Sequence, residues 1–272
     1  MDSQKKNLLV RIASAAVLLP VVVVLLWLGG TPFTILVAAA SALVAREIYG
    51  IAGIDPIHPA ALAGMAGAIV LVIAGEDVTA RWPAIVCVLA FAPVAIFALS
   101  TLVPPGGDLR RAAQSAAWIT ASVPYAGLLA SVVALRAHPD GLVWTMLALA
   151  MTWGNDTGAY FVGIRFGRRK LYPKVSPHKS WEGFFGGLGA SVLAAAIFRL
   201  FLPLDWADVL VLGGVAGVLG PLGDLSESMI KRAFDVKDSG QLIPGHGGIF
   251  DRLDALLFVA PWTLAYQAFF IS

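Results

Sequence analysis

Between Gly223 and Asp254 the chain reads GDLSESMIKRAFDVKDSGQLIPGHGGIFDRLD, and between Trp153 and Gly183 it reads WGNDTGAYFVGIRFGRRKLYPKVSPHKSWEG. Carboxylate, ammonium and guanidinium groups crowd into these two stretches of a chain that is 58% hydrophobic and only 13% charged. If the segment around Asp224 is helical, Ser228 and Lys231 follow at i+4 and i+7 on the same face, with Glu227 alongside. The chain then turns at Ser239-Gly240 and Pro244-Gly245. It passes Gly247 and Gly248, where the backbone can approach an anion closely, and presents Asp251, Arg252 and Asp254. Carboxylates from two helix ends inside a ring of Lys and Arg suit one task. Hard oxygen ligands hold a divalent metal, usually Mg2+, which keeps waters and phosphate oxygens as its other ligands. The cations neutralise the remaining phosphate charge. Any single acid beside a basic loop reads more simply as a salt bridge; the density of the whole set argues against that. His246 is open between loop hydrogen bonding, phosphate contact and proton transfer. One loop histidine without a cysteine is too few nitrogen or sulfur ligands for zinc.

In the upstream stretch, Asn155 and Asp156 interrupt an apolar run, where an ionised carboxylate costs about 2.5 to 3.5 kcal/mol unless it faces protein or water. For Asp156 the structural alternative is a satisfied interhelical hydrogen bond. The following loop carries six basic residues, Arg165, Arg168, Arg169, Lys170, Lys174 and Lys179, together with His178. It reads either as a cytoplasmic anchor or as part of the phosphate site. Gly183, Gly186, Gly187 and Gly189 begin the next apolar run, and helix packing explains them best. GFFGGLG lacks the lysine and hydroxyl that would follow in a phosphate-binding loop.

The elements that must position these residues are membrane helices. A mean hydropathy of +0.82 and recurring apolar stretches of about 20 residues predict an all-α, polytopic integral membrane protein and exclude a soluble domain. Nine spans are expected, at about residues 12–30, 32–54, 58–75, 82–103, 113–136, 141–163, 182–203, 207–230 and 255–271. The first lacks a cleavage site and reads as a retained helix. With the N-terminus in the cytoplasm, all but Arg81, Arg136 and Arg199 of the 19 Lys and Arg residues fall on the cytoplasmic side, as the positive-inside rule requires. The C-terminus is then extracytoplasmic. Residues 1–150 are expected to be N-terminal transmembrane helices serving lipid contact, packing or dimerisation. Residues 151–272 form the catalytic region, with cytoplasmic loops at 164–181 and 231–254. Cys87 is the one cysteine, so no intramolecular disulfide can form.

At these residues the sequence resembles the phosphatidate cytidylyltransferase (CDP-diacylglycerol synthase) family. The family signature is matched by Ser228, Lys231, Arg232, Lys237, Asp238, Gly240, Ile243, Pro244, His246, Gly247, Gly248, Asp251, Arg252 and Asp254. Upstream, Asp156, Ala159, Tyr160, Gly163, Phe166, Gly167, Lys170, Leu171, Pro173, Ser176, Pro177, Lys179 and Gly183 also match. Ser180 stands where the family more often has threonine, which keeps the hydroxyl. The resemblance covers residues 150–256, and the first half of the chain agrees only in being hydrophobic.

The resemblance implies transfer of CMP from CTP to phosphatidic acid, giving CDP-diacylglycerol and pyrophosphate, with Mg2+ as cofactor and a second cation left open. It implies Asp224 and Asp251 as metal ligands, with Asp156, Glu227 and Asp254 second in rank. Lys179, Lys231, Arg232, Lys237 and Arg252 would contact the triphosphate or the lipid phosphate, and Ser228, His246, Gly247 and Gly248 would complete the substrate site. The expected partners are CTP, phosphatidic acid and the lipid bilayer, without nucleic acid, and the family suggests a homodimer. The absence of a transit peptide or soluble extension favours a bacterial cytoplasmic (inner) membrane with the site facing the cytosol. Two other readings are a CTP-dependent polyprenol kinase, whose alcohol nucleophile would need a base, and an ion-coupled transporter using Glu47 and Asp156. The latter predicts inverted repeats and a midplane site, whereas the polar residues here gather at one interface.

Overall fold

The structure, a computed structural model, describes residues 3–103, 107–245 and 247–271. Several of its helices begin or end where the sequence supplies caps and breakers. α1 (Ser3–Leu28) and α2 (Gly30–Ile51) part at Gly29, whose φ of 65° lies in the left-handed region open to glycine. α3 (Pro59–Ala74) opens on a proline in its first turn, and the His58 ring accepts from the Ala60 N–H at 3.2 Å. α4 (Val78–Leu102) is capped by Asp77, which accepts from Ala80 N at 2.9 Å and from the Thr79 hydroxyl at 2.8 Å. Those bonds, the Ala80 N–H first, hold the Asp77 carboxyl below its ordinary range. α5 (Leu109–Gly127) is capped by Asp108, and α6 (Ala130–Ala137) follows after a short break.

The second half runs α7 (Gly141–Phe166), the strands β1 (Lys170–Tyr172) and β2 (Ser176–Ser180), α8 (Trp181–Phe198), α9 (Trp206–Ala233), the single turn α10 (Phe250–Leu253) and α11 (Leu256–Tyr266). A π-helical turn, Gln267–Ile271, extends α11. Each of the nine apolar runs read from the sequence falls on one or more of these helices. Among the described residues, six segments are long and apolar enough to cross a membrane: Gly30–Ile51, Val78–Leu102, Leu109–Ala137, Trp181–Phe198, Trp206–Ala233 and Phe250–Ile271. Ile12–Leu28 and Pro59–Ala74 are shorter apolar helices. The chain is an all-α polytopic membrane protein, and the basic loop at 164–181 folds in part as a two-stranded antiparallel hairpin pairing Lys170 with Ser180 and Tyr172 with Ser176.

By compactness the chain divides into residues 1–137 with 234–252, and residues 138–233 with 253–272. That division follows contacts, whereas the boundary expected near residue 150 follows polarity. In the first unit α2, α3 and α5 share a core in which Val44, Tyr49 and Ile119 are buried. Ser122 Oγ donates to the Tyr49 hydroxyl at 2.9 Å. Arg136 donates to Leu26 O at 2.7 Å and Trp27 O at 2.9 Å, satisfying carbonyls that the last turn of α1 leaves without partners inside the helix.

In the second unit small residues let α7, α8 and α9 approach closely. A methyl group on Gly187 would lie 2.8 Å from Asn155 O, and one on Gly217 would lie 2.8 Å from Leu188 Cα. Gly183 and Gly186 face α7 in the same way, whereas Gly189 faces open space and takes no part in this packing. Pro221 inside α9 has no N–H to give the carbonyl of Gly217, four residues back. The buried Asn155 of α7 supplies the missing donor, its Nδ2 lying 3.0 Å from Gly217 O and 3.2 Å from Ser191 Oγ. One side chain thus ties three helices at the level where the polar residues begin.

Candidate active site

Asp224 sits three residues beyond Pro221 on α9, and the residue before it decides its company. A side chain on Gly223 would overlap the carbonyl oxygen of Asp254 and come within 3.0 Å of Ala255 Cα. Glycine there lets α9 touch the chain entering α11, which brings Asp254 beside Asp224. Glu227, one turn along α9, joins them, and the three carboxylates offer ligand oxygens that all lie within 4.8 Å of one another. Two ammonium groups flank the cluster. Lys179 Nζ, from β2, is 2.6 Å from Asp224 Oδ2, and Lys231 Nζ is 2.9 Å from Glu227 Oε2, this second pair being buried. Ser228 Oγ donates to Asp224 Oδ1 at 3.3 Å. Asp224, Ser228 and Lys231 all lie on α9 at the expected helical spacing, with Lys231 bonded to the neighbouring Glu227.

Lys179 is delivered by the hairpin, which is anchored at both ends. Glu182 accepts from the Arg168 N–H at 3.0 Å and from the Arg169 N–H at 3.2 Å, and the Trp181 N–H donates to Arg169 O at 2.9 Å. Ser180 caps α8, its Oγ accepting from Gly183 N at 3.1 Å, so the hydroxyl that distinguishes this position from alanine has a backbone partner. A cavity of about 510 Å3 opens beside this point. Asp156, His178, Lys179 and Asp224 contribute to its polar lining, and Ile164 and Phe184 are among its apolar residues. Asp156 is exposed on α7 and lines this space, while its neighbour Asn155 makes a buried interhelical crosslink.

The chemistry of this donor set fits a divalent cation. Three carboxylates of hard oxygen ligands converge, with two ammonium groups beside them. Asp224 comes together here with Glu227 and Asp254, two of the acids placed second in rank from the sequence.

Asp251 lies in the other compact unit, in the segment that follows α9, with Lys237, Gly247, Gly248 and Arg252. Its Oδ2 accepts from Gly248 N at 2.9 Å and Ser239 N at 3.2 Å, and Ser239 Oγ lies 2.9 Å away. Gly247 has φ 85°, and its carbonyl accepts from the Ile243 N–H at 3.0 Å. The anions that this glycine pair approaches are thus the protein's own carboxylates. Lys237 and Arg252 are exposed, as is Arg232 at the end of α9. His246 lies outside the described residues.

The residue that sequence reasoning passed over is Glu47 of α2. It is buried, and its two oxygens accept from Ile249 N at 2.9 Å, Phe250 N at 2.8 Å and Ser239 Oγ at 2.8 Å. The one signal for it was an acid interrupting an apolar run in AREIYG, which the sequence reading attached only to the transporter alternative.

A family model described as the cytidylyltransferase family matches residues 9–270. Among curated relatives, a phosphatidate cytidylyltransferase of Bacillus subtilis (strain 168) is 47% identical over 132 residues, covering 48% of this chain and 49% of the relative. Phosphatidate cytidylyltransferases of Staphylococcus epidermidis and Staphylococcus aureus (strain COL) are each 42% identical over 151 residues, covering 54% of this chain and 57% of theirs. The chain spans about half the length of the curated relatives it matches. With a carboxylate and ammonium site already built from its own residues on apolar helices, the chain belongs to the cytidylyltransferase family.

Proposed function

We propose that this protein transfers CMP from CTP to phosphatidic acid, releasing pyrophosphate and forming CDP-diacylglycerol. The observation that carries this reading is the convergence of Asp224, Glu227 and Asp254 with Lys179 and Lys231 at one level of a helical membrane unit, in a chain of the cytidylyltransferase family. The relatives named above carry that activity in their names.

The lipid phosphate is the nucleophile, and with a second pKa of about 6 it is mostly ionised at neutral pH, so no strong base is required of the protein. One of its oxygens bonds to the α-phosphorus of CTP as the bond from that phosphorus to the bridging oxygen breaks, and pyrophosphate departs with the electron pair. What the chain must supply is alignment and charge neutralisation. Lys179 stands at the cavity beside Asp224, poised to exchange its carboxylate partner for a phosphate oxygen. Lys231 balances the charge of Glu227, and Ser228 orients Asp224. Mg2+, held by Asp224, Glu227 and Asp254, would neutralise phosphate charge in the transition state. Arg232, Lys237 and Arg252 are assigned to phosphate contact, with Gly247, Gly248 and His246 in the same signature stretch. Asp251 keeps a place among the metal-ligand candidates. The apolar residues Ile164, Leu171 and Phe184 around the cavity suit a substrate whose acyl chains stay in hydrocarbon. We place the site at the cytosolic face of a bacterial inner membrane, with a cytoplasmic N-terminus, in a homodimer.

The test uses purified protein with phosphatidic acid, Mg2+ and CTP labelled separately at the α and γ phosphates, alongside Asp224→Asn, Asp254→Asn and Asp251→Asn. Label from the α position is expected in lipid and label from the γ position in pyrophosphate, with Asp224→Asn and Asp254→Asn inactive. Transfer of γ label to a lipid alcohol, or folded protein that labels no lipid, overturns the reading. Loss of activity in Asp251→Asn with Asp254→Asn unaffected would return the metal to the pair expected from the sequence.

A further inference from the structure

Glu47 is a charged group buried near the end of an apolar helix, and nothing in the proposed reaction uses it. Its surroundings say what it does instead. Three donors converge on its carboxylate: the backbone N–H groups of Ile249 and Phe250, at 2.9 and 2.8 Å, and the Ser239 hydroxyl at 2.8 Å. A carboxylate is the one side-chain group of this size that accepts at both oxygens and donates at neither. The loop is shaped to reach it. A methyl group on Gly240 would lie 2.8 Å from Glu47 Oε1, and one on Gly248 would overlap both Glu47 Oε2 and Ser239 Oγ.

The same loop atoms hold Asp251. Ser239 Oγ touches Glu47 Oε2 and Asp251 Oδ2, and Gly248 N, one residue before Glu47's first backbone donor, donates to Asp251 Oδ2. The path from α2 to the signature residues is therefore a continuous chain of hydrogen bonds: Glu47 to the backbone at Ile249 and Phe250, and Glu47 through Ser239 to Asp251. Phe250 itself is fully buried, so the turn carrying Asp251 and Arg252 is gripped by its backbone and by its apolar side chain. Resting on the cytidylyltransferase reading of this signature, we infer that Glu47 is a positioning residue of the enzyme: an acid from an N-terminal helix that fixes the Gly-Gly turn and thereby the orientation of Asp251 and Arg252. It touches no substrate in this scheme.

The experiment pairs two readouts on Glu47→Ala, Glu47→Gln and Ser239→Ala in the full-length protein. Amide hydrogen exchange over residues 239–252 measures anchoring without reference to activity, and steady-state kinetics with CTP and phosphatidic acid measure its consequence. Glu47→Ala is expected to speed exchange at Ile249 and Phe250 by roughly tenfold or more while α3 and α5 keep wild-type protection. Its kcat should fall on the order of 100-fold with KM for CTP little changed, the pattern of lost positioning rather than lost binding. Glu47→Gln keeps one acceptor oxygen and sets an NH2 against the remaining donors, so it should recover part of both losses. If Glu47→Ala does not fold, Glu47→Gln and Ser239→Ala carry the test, each with smaller changes confined to the same peptide. Wild-type exchange over 249–250 in all three variants, or faster exchange there with kcat unchanged, overturns the inference, as does loss of protection spread evenly through the helices. A wild-type protein that forms no CDP-lipid sinks the underlying reaction and the catalytic half of this inference with it, while the exchange result still decides whether Glu47 anchors the turn.

Discussion

Replacing Gly223 by alanine is the most direct way to ask whether the contact between α9 and the start of α11 builds the site. The added carbon would lie 3.0 Å from Ala255 Cα and from the Asp254 carbonyl carbon, and closer still to the Asp254 oxygen. Carbon pairs settle at roughly 3.5 to 4.0 Å, so the two segments must part by about 0.5 to 1 Å. Both neighbours are backbone, which cannot swing aside as a long side chain would. Overpacking of this kind costs about 1 to 3 kcal/mol, less the roughly 0.5 to 1 kcal/mol that alanine gains over glycine inside a helix. The larger effect is chemical. Asp224 and Asp254 move apart with their backbones, and a misplacement of about 1 Å can lower a rate on the order of 100-fold. The assay is CDP-diacylglycerol formation across a magnesium titration, with thermal unfolding in detergent alongside. Gly223→Ala should lose activity far out of proportion to its modest loss of stability, and should need more Mg2+ for half-maximal rate. Gly189→Ala, where the new methyl meets open space, is the matched control and should be neutral or slightly stabilising. A Gly223→Ala protein with wild-type rate and magnesium dependence would refute the claim that this close approach assembles the carboxylate cluster.

Asn155→Ala should destabilise by about 0.6 to 1.7 kcal/mol, since it removes the donor to the carbonyl that Pro221 leaves open. The loss should shrink when Asn155→Ala is combined with Pro221→Ala, because the alanine supplies its own N–H to that carbonyl; unchanged loss in a double-mutant cycle of thermal unfolding would refute the coupling. Lys231→Met takes the ammonium from buried Glu227 and should cost about 3 to 5 kcal/mol. Adding Glu227→Gln should restore unfolding temperature without restoring activity. For Asp77, whose folded carboxyl is held low by the Ala80 N–H, the stabilisation is present above the unfolded carboxylate pKa and is lost as pH falls through the lowered folded value. Asp77→Asn keeps an amide oxygen at the cap, so its unfolding temperature should vary less with acid pH than the wild type's.

Much of this protein was legible because its signals are local. Apolar runs predicted the helices, since each must hide its backbone polar groups within itself to cross lipid. Asp77, Asp108 and Ser180 cap their helices through bonds to backbone only two or three residues on, and the ordered spacing from Ser228 to Asp254 marked the signature stretch before any contact was known. What a pattern along the chain cannot express is which distant groups share a proton donor or a charge. Glu47 meets Ser239 across 192 positions and Phe250 across 203, and no periodicity links them. Asn155 reaches Gly217 because a proline elsewhere on α9 leaves a carbonyl open, a need invisible from residue 155 itself. Asp254 joins Asp224 and Glu227 because Gly223 admits the neighbouring backbone. The sequence by itself determined the class of fold and the kinds of groups available for chemistry, through hydropathy and local hydrogen bonding. Tertiary structure alone decided which of those groups converge, because convergence depends on how closely backbones can pack and on where each buried polar atom finds its partner.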